Sequence, residues 1–587
     1  MNFDEFKEKI KKHKAIIILI AIVISAFIYQ ILILNMYPYL YGVDGAYYNL
    51  QVINILETGE MWAGDNPFSF YYFAFITLII KLFMPITTPL EVVTTIAIKI
   101  GIVIFTSCIS VPTYFIIKKY SKNEISALFG AFISTFNPLL FRLLGDFVKN
   151  AIGTFFLLLF IYLFILCCEN KYEIKKTLTL YFLTYGIFVI TALTHIYPTG
   201  FAACFVFIYL IYSIIHKLAT ERKLPLNEFK IIGFLVLTVS FTILVMFLLL
   251  PDLFDHFFKI ESFIEQLFDI TLQTEGAVFK ILQKPIGFPS IHPISLLIMM
   301  IISVIGLIII IFDLKNQKKL KPIFQYLAFN LILFLPVYLI TPNLSSLPAA
   351  HIAPQNIFIN ALIFLTNFPV TAGLSLLVFE IYKNDPNKFK INRLKGIILA
   401  IFLLSMILAL LIFLPEFRQW QERFAYMNFI PIALLIGYGI KALKNEKKTR
   451  VIAVILIMFF SISFIIQTQY FNYYQSKPII TPIDQRSLVE LKLYIGNNAS
   501  LSGSVVLTNN LGLYYFTALY SDQTSVLVTN PNLNRTIADE YAESYNETIF
   551  IVEFKMGPPP DPAFKVIIDY PASQIRILLA NDSFNFP

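Results

Sequence analysis

The sequence predicts an all-α polytopic membrane domain of about thirteen transmembrane helices with its N-terminus inside, followed by a small α/β or β-rich outer domain at the C-terminus. Three observations predict it. Apolar runs of membrane-crossing length dominate the chain, every second connection between them is basic, and the pattern changes to short alternating segments from about residue 468. Hydrophobic residues make up 57% of the chain and charged residues 14%. A soluble domain has roughly 45–50% and about 25%. A transmembrane barrel is excluded, because its segments are short and alternating rather than solidly apolar.

The first run, Ala15 to Leu34, is too long and too apolar for a cleaved signal, and no small-residue cleavage site follows it, so it reads as the first helix. Further spans are expected at about 92–117, 123–140, 151–168, 177–194, 197–215, 231–250, 293–312, 322–340, 357–382, 396–414, 424–440 and 450–467. Basic residues near span ends mark the cytoplasmic side. Lys7 to Lys14, Lys118/Lys119/Lys122, Lys171 to Lys176, Lys217 to Lys230, Lys315 to Lys321, Lys383 to Lys395 and Lys441 to Arg450 then all lie inside. The opposite connections are acidic or nearly neutral, as in Asp44 to Asp65, Asp252 to Glu275 and Thr341 to Gln355. Counting the apolar stretch Phe68 to Met84 as a span would invert every later loop. It therefore reads as an interfacial or re-entrant helix of the first outer loop, 36–91. Segments 251–292 and 341–356 are further outer loops.

The membrane domain thus covers 1–467 and the extracytoplasmic domain 468–587, in a multi-pass protein of the cell or an endomembrane. In the tail, Ser504 to Thr508, Thr524 to Val528, Thr548 to Val552, Phe564 to Ile568 and Gln574 to Leu579 read as short strands between Asn, Gly and Pro clusters. Glycosylation sequons begin at Asn343, Asn498, Asn534, Asn546 and Asn581, all on the predicted outer side. The four cysteines fall inside expected spans, which leaves the outer domain without a disulfide framework. The net charge of +8 is spread in short clusters between apolar runs, so membrane lipids and not nucleic acid are the expected partners. The sequence contains no metal-ligand spacing and no Gly-rich phosphate loop.

Polar groups at membrane depth are costly and mark candidate function. Asp44, in Gly42-Val43-Asp44-Gly45-Ala46-Tyr47-Tyr48-Asn49, stands among apolar and aromatic neighbours just after the first span. A carboxylate there can take a proton from an attacking hydroxyl or amide, or hold a metal. The plainer alternative is an Asp-Gly turn that caps the next helix. Arg142-Leu143-Leu144-Gly145-Asp146 presents a second carboxylate, or else an Arg–Asp pair that fixes a loop. In Thr194-His195-Ile196-Tyr197-Pro198, His195 can bind a phosphate or sugar hydroxyl and Tyr197 can stack on a sugar. Equally, both can anchor helix ends. Arg423, within Glu422 to Pro431, sits where a guanidinium binds phosphate or snorkels to the interface. Lys99, inside the second expected span, either pairs with an acidic group near the site or reaches water.

Together these features resemble the GT-C superfamily of membrane glycosyltransferases, and most nearly the catalytic subunit of oligosaccharyltransferase. That family has thirteen spans, an inside N-terminus, a long first outer loop and an outer C-terminal domain. Val43-Asp44-Gly45-Ala46-Tyr47-Tyr48-Asn49 is similar to its first-loop acidic motif. Asn137-Pro138 through Arg142 to Asp146 and Asn150 occupies the place of its second. Arg423 through Pro431 is similar to its late Arg segment, which contacts the lipid-linked phosphate. The family's Trp-Trp-Asp-Tyr-Gly acceptor motif is absent, since the only tryptophans are Trp62 and Trp420. Its Thr-x-x-Glu-type motif is also absent, and Ser345-Ser346 to His351 stands in that loop instead.

The resemblance implies a GT-C-like fold and a glycosyltransferase with a polyprenyl (dolichyl-type) phosphate- or pyrophosphate-linked sugar donor. The transfer would invert the anomeric centre, and the acceptor would be a glycan, lipid or protein. It implies Asp44 and Asp146 as catalytic and Arg423 with His195 on the donor phosphate. Tyr47, Tyr48, Asn49, Arg142, Tyr197 and His351 would bind substrate. A pyrophosphate donor calls for Mg2+ or Mn2+ beside Asp44 and Asp146, whereas a monophosphate donor could be served by Arg423 alone. A transporter or flippase of a lipid-linked or amphipathic solute is the alternative. Against it, the sequence shows no internal repeat and the candidates lie at the outer face rather than the midplane. A non-catalytic scaffold that displays the outer domain is the third possibility.

Overall fold

A computed structural model describes residues 3–42, 44–136, 140, 143–145, 147–169, 174–249, 430, 433–434, 481–497, 501, 504–508, 510–521, 524–527, 535–545, 548–555, 564–571 and 573–580. The chain forms two compact units. One comprises Met1–Gln30, Asp65–Ser69 and Ile102–Phe471, the other Ile31–Gly64, Phe70–Gly101 and Asn472–Pro587.

The helices in chain order are α1 (Phe3–Leu34), α2 (Gly45–Thr58), α3 (Phe68–Lys81), α4 (Leu90–Cys108), α5 (Ser110–Ser121), α6 (Glu124–Thr135), α7 (Val148–Cys168), α8 (Ile174–Thr194), α9 (Ile196–Glu221) and α10 (Leu226–Leu249). Among the described residues, five helical stretches are long and apolar enough to cross a membrane: His13–Leu34, Leu90–Lys119, Val148–Cys168, Ile174–Thr194 and Leu226–Val245. They coincide with the first, second, fourth, fifth and seventh expected spans. The sixth falls on α9, and the third on α6, which ends at Thr135. The spans expected from 293 onward lie outside the described residues, apart from Ile430, Ala433 and Leu434.

Local chemistry explains the interruptions. α4 and α5 form one apolar stretch broken at Ile109. Pro112 has no N–H to return to the carbonyl of Cys108, one turn earlier, so the helix breaks there. α3 has 14 residues, which at about 1.5 Å each spans roughly 21 Å, short of the roughly 30 Å hydrocarbon core. Its buried side is Ser69, Phe70, Phe73, Ala74 and Thr77. Its other side exposes Tyr71, Phe75, Leu78 and Ile79, apolar surface suited to lipid.

In the first unit, α7 is the central helix and is mostly buried, whereas most of the apolar surface of α8 and α10 is left uncovered by the described residues. It packs on α8, α9 and α10. Gly153 permits the contact with α9, since a Cβ there would come within 2.5 Å of the Pro198 ring. The basic connections carry ion pairs: Lys118–Glu124 at 2.9 Å, Lys119–Glu169 at 2.8 Å and Lys217–Glu228 at 3.0 Å. Glu228 is buried, so Lys217 keeps a carboxylate from being stranded there.

The C-terminal residues of the second unit form α11 (Pro482–Gly496), β1 (Val505–Thr508), α12 (Leu511–Ser521), β2 (Thr524–Leu527), α13 (Arg535–Tyr545), β3 (Ile549–Phe554), β4 (Lys565–Ile568) and β5 (Ile575–Leu579). The sheet order is β2-β1-β3-β5-β4. β1 pairs parallel with β2 and β3, while β5 pairs antiparallel with β3 and β4. Alternation divides the core into two faces. Val506, Phe550, Val552 and Ile577 pack with α11 and α12, and Val505, Leu507, Ile549, Ile551 and Leu578 with α13. The expected alternative between α/β and β-rich therefore resolves to an α/β sheet covered on both faces. Helix α2 joins this core through Ala46. Asp484 ties the start of α11 to the start of β5 and closes a capping box with Thr481.

Candidate functional site

Tyr41 and Lys99 hold the chain between α1 and α2. The Tyr41 hydroxyl donates to the Ile33 carbonyl at 2.6 Å, and Lys99 Nζ donates to the Tyr37 carbonyl at 2.6 Å. Lys99 is 2% exposed and meets a backbone carbonyl in the chain leading to Asp44. Tyr39 donates to Gln485 Oε1 at 2.5 Å, and its phenol is pushed up to about 12, by burial first and by Asp484 second. Gly42 takes φ 74°, and Gly45 lets the chain pass the Leu40 carbonyl, which a Cβ would meet at 2.9 Å.

This turn puts Asp44 at the N-cap of α2, but its carboxylate makes no capping hydrogen bond. Asp44 starts the helix through its backbone, whose carbonyl accepts from Tyr48 N at 3.2 Å, while the side chain is not used as the cap. Asn49 accepts from the Thr94 hydroxyl at 3.0 Å and donates to Thr95 Oγ1 at 2.9 Å, which fastens α2 to α4. It is 4% exposed, and its amide is committed to this contact. Tyr48, also 4% exposed, lies against Phe70 and Phe73. Tyr47 belongs to a partly exposed ring cluster with Trp62, Tyr514 and Tyr515.

In the other unit, His195 is the N-cap of α9, and its Nδ1 accepts from Tyr197 N at 3.2 Å. That bond leaves the proton of the neutral ring on Nε2, which is the nitrogen able to donate to a phosphate oxygen. The rings of His195 and Tyr197 stack at 5.0 Å and 18°, so one face of Tyr197 is taken. Asp146, Arg142, His351 and Arg423 lie outside the described residues.

The structure adds residues that the sequence did not single out. Asp65 forms an ion pair with Lys149 in the first turn of α7, and Asn66 Nδ2 donates to the Ala192 carbonyl at 2.9 Å. The loop before α3 is thereby stitched beside the N-terminus of α7 and three residues before His195. Gln51, fully buried, donates to the Tyr47 hydroxyl at 2.8 Å and to the Ala63 carbonyl at 2.7 Å. No local signal marks such pairings, which join residues up to 126 positions apart. Among the described residues no three His, Cys, Asp or Glu side chains gather as metal ligands.

No protein-family model and no curated protein sequence matches the chain. Solved structures do. The Archaeoglobus fulgidus oligosaccharyltransferase in complex with Zn and sulfate aligns with 92% of this chain and 68% of its own, at TM-score 0.56 and 12% identity. Its apo form aligns with 93% and 70% at TM-score 0.53 and 12% identity. The same enzyme tethered to an acceptor peptide with an NVT sequon aligns with 93% and 69% at TM-score 0.50 and 12% identity. The chain has an oligosaccharyltransferase-like fold. The likeness runs over nearly the whole chain, so this fold includes both the apolar helices and the small C-terminal sheet. At 12% identity it is a likeness of architecture, and residue roles rest on the chain's own chemistry.

Proposed function

We propose that the chain is an inverting glycosyltransferase of the GT-C type, acting at the outer membrane face on a polyprenyl (dolichyl-type) phosphate- or pyrophosphate-linked sugar. The proposal takes 1–467 as a thirteen-span membrane domain with an inside N-terminus and 468–587 as extracytoplasmic. One observation carries it: the chain has an oligosaccharyltransferase-like fold over nearly its whole length, and its first loop after α1 places Asp44 at the start of a helix.

In the proposed step, an acceptor O–H or N–H attacks the anomeric carbon of the donor sugar. The new glycosidic bond forms as the bond from that carbon to the phosphate oxygen breaks, with inversion. Asp44 takes the acceptor's proton, and the bonding pair leaves on the lipid phosphate. Arg423, with His195 donating through Nε2, neutralises that phosphate as its charge develops. Asp146 and Arg142 orient the acceptor, and His351 contributes to substrate binding. If the donor is a pyrophosphate, Mg2+ or Mn2+ would be held by Asp44 and Asp146 and would supply further charge stabilisation.

The test is turnover in proteoliposomes that carry a radiolabelled polyprenyl-phosphate or pyrophosphate sugar. Release of free polyprenyl phosphate or pyrophosphate together with sugar transfer supports the proposal. Translocation of the intact donor, with no cleavage, would mean a flippase, and neither outcome would mean a scaffold.

A further inference from the structure

We propose that Tyr47, Trp62, Tyr514 and Tyr515 form a carbohydrate-stacking platform that receives the acceptor, so that the acceptor is a glycan. This rests on the transferase reading and extends it to a substrate class. The rings come from two distant segments, the loop around α2 and the first turn of α12. The Tyr47 and Tyr515 centroids are 5.1 Å apart, Trp62 and Tyr514 6.0 Å, Tyr47 and Trp62 6.3 Å, and Tyr514 and Tyr515 5.3 Å. All four are partly exposed. Behind them, Tyr48 is 4% exposed and Phe70 is fully buried, so the cluster has a packed back and an accessible front.

Three features favour a ligand over simple packing. First, a fully buried amide holds the platform. Gln51 donates to the Tyr47 hydroxyl and to the Ala63 carbonyl, and its Oε1 accepts from Ala63 N at 3.4 Å. It thereby fixes one ring and the backbone next to Trp62. Burying an amide costs free energy unless it is satisfied, and ring packing alone does not call for one. Preorganised rings lower the entropic cost of binding.

Second, every member of the cluster is neutral. Aromatic faces bordered by phenol hydroxyls match a sugar ring, which has an apolar C–H face and polar edges. They do not match a phosphate, which calls for cations. Third, Tyr47 lies three residues beyond Asp44, about one helical turn. A sugar stacked there would bring an acceptor hydroxyl towards the proposed base.

The test uses the full-length chain with Trp420→Phe, which leaves Trp62 as the only tryptophan. Its fluorescence is titrated with chitotetraose, maltotetraose, mannotetraose and a blocked Asn-Val-Thr peptide. A saturable change with at least one oligosaccharide is expected. Tyr515→Leu and Tyr47→Leu should weaken that binding by about tenfold without altering the melting temperature. If the leucine variants unfold, Tyr47→Phe, which removes only the hydroxyl that Gln51 holds, replaces them.

Saturation by the peptide alone overturns the platform in favour of a peptide site. So does the lack of a saturable change with any of the three sugars, or binding indifferent to both tyrosines. The two proposals fail separately. Transfer from a polyprenyl donor to peptide only would sink the platform and leave the transferase. Oligosaccharide binding with no transfer from any polyprenyl donor would do the reverse.

Discussion

Asp484 offers the sharpest energetic test of the C-terminal sheet. It is fully buried, and its two oxygens accept five hydrogen bonds. Oδ1 takes them from Ser573 Oγ at 2.6 Å, Gln574 N at 2.7 Å and Ile575 N at 3.3 Å. Oδ2 takes them from Thr481 N and Thr481 Oγ1, each at 2.7 Å. Asp484→Ala strands donors at both ends of the domain. A buried unsatisfied donor costs roughly 1–3 kcal/mol, and some of these will find water or a second acceptor, so a net loss of about 3–5 kcal/mol is expected. Asp484→Asn keeps one carbonyl oxygen and turns the other position into a donor facing donors, so its loss should be smaller but clear. Hydrogen exchange of the full-length protein, read on peptides covering β3 and β5, should accelerate by roughly two to four orders of magnitude in the Ala variant. Wild-type protection of β5 in Asp484→Ala would refute the assignment of Asp484 as the tie between α11 and the sheet.

Three further outcomes follow from local chemistry. Asp65→Ala should lower the melting temperature more than Lys149→Ala, by the equivalent of about 1 kcal/mol, because it leaves an ammonium at the positive end of α7; equal losses would contradict this. Tyr39 stays neutral in the folded protein to about pH 12. Its contribution to stability is therefore complete below pH 10 and lost between pH 10 and about 12. The phenolate absorbance difference between wild type and Tyr39→Phe should titrate near 12, and a midpoint near 10 would refute it. Gly153→Val should cost about 1–3 kcal/mol by forcing α7 away from Pro198, visible as a lower melting temperature; an unchanged melt would show that the ring has room to move.

Much of the fold was legible because hydropathy and alternation are local signals. The run Ala15 to Leu34 lies in α1, and all five strands of the tail appear within about two residues of their expected places. The helices of the C-terminal domain were less visible. α13 is polar on one side, and α12 reads as another apolar run, so neither announces that it covers a sheet. The candidate site divides in the same way. Asp44, His195 and Tyr47 stood out as polar or aromatic groups at helix starts, and each lies at or within one turn of a helix start. The resemblance implies Asn49 as a substrate ligand, and no local spacing reveals Thr94 and Thr95, which its amide meets in α4. Trp62 drew notice only as one of two tryptophans, since its partners Tyr514 and Tyr515 are more than 450 positions away. Nothing in the sequence couples Asp65 to Lys149, because a pair closed by folding leaves no spacing to read.

The most direct measurement is the rate of sugar transfer from a radiolabelled polyprenyl-linked donor by wild type and by Asp44→Asn, both reconstituted in liposomes and matched in melting temperature. The account predicts transfer by wild type and a loss of at least about a hundredfold in the variant, the contribution of a general base. Transfer by Asp44→Asn at the wild-type rate would contradict it.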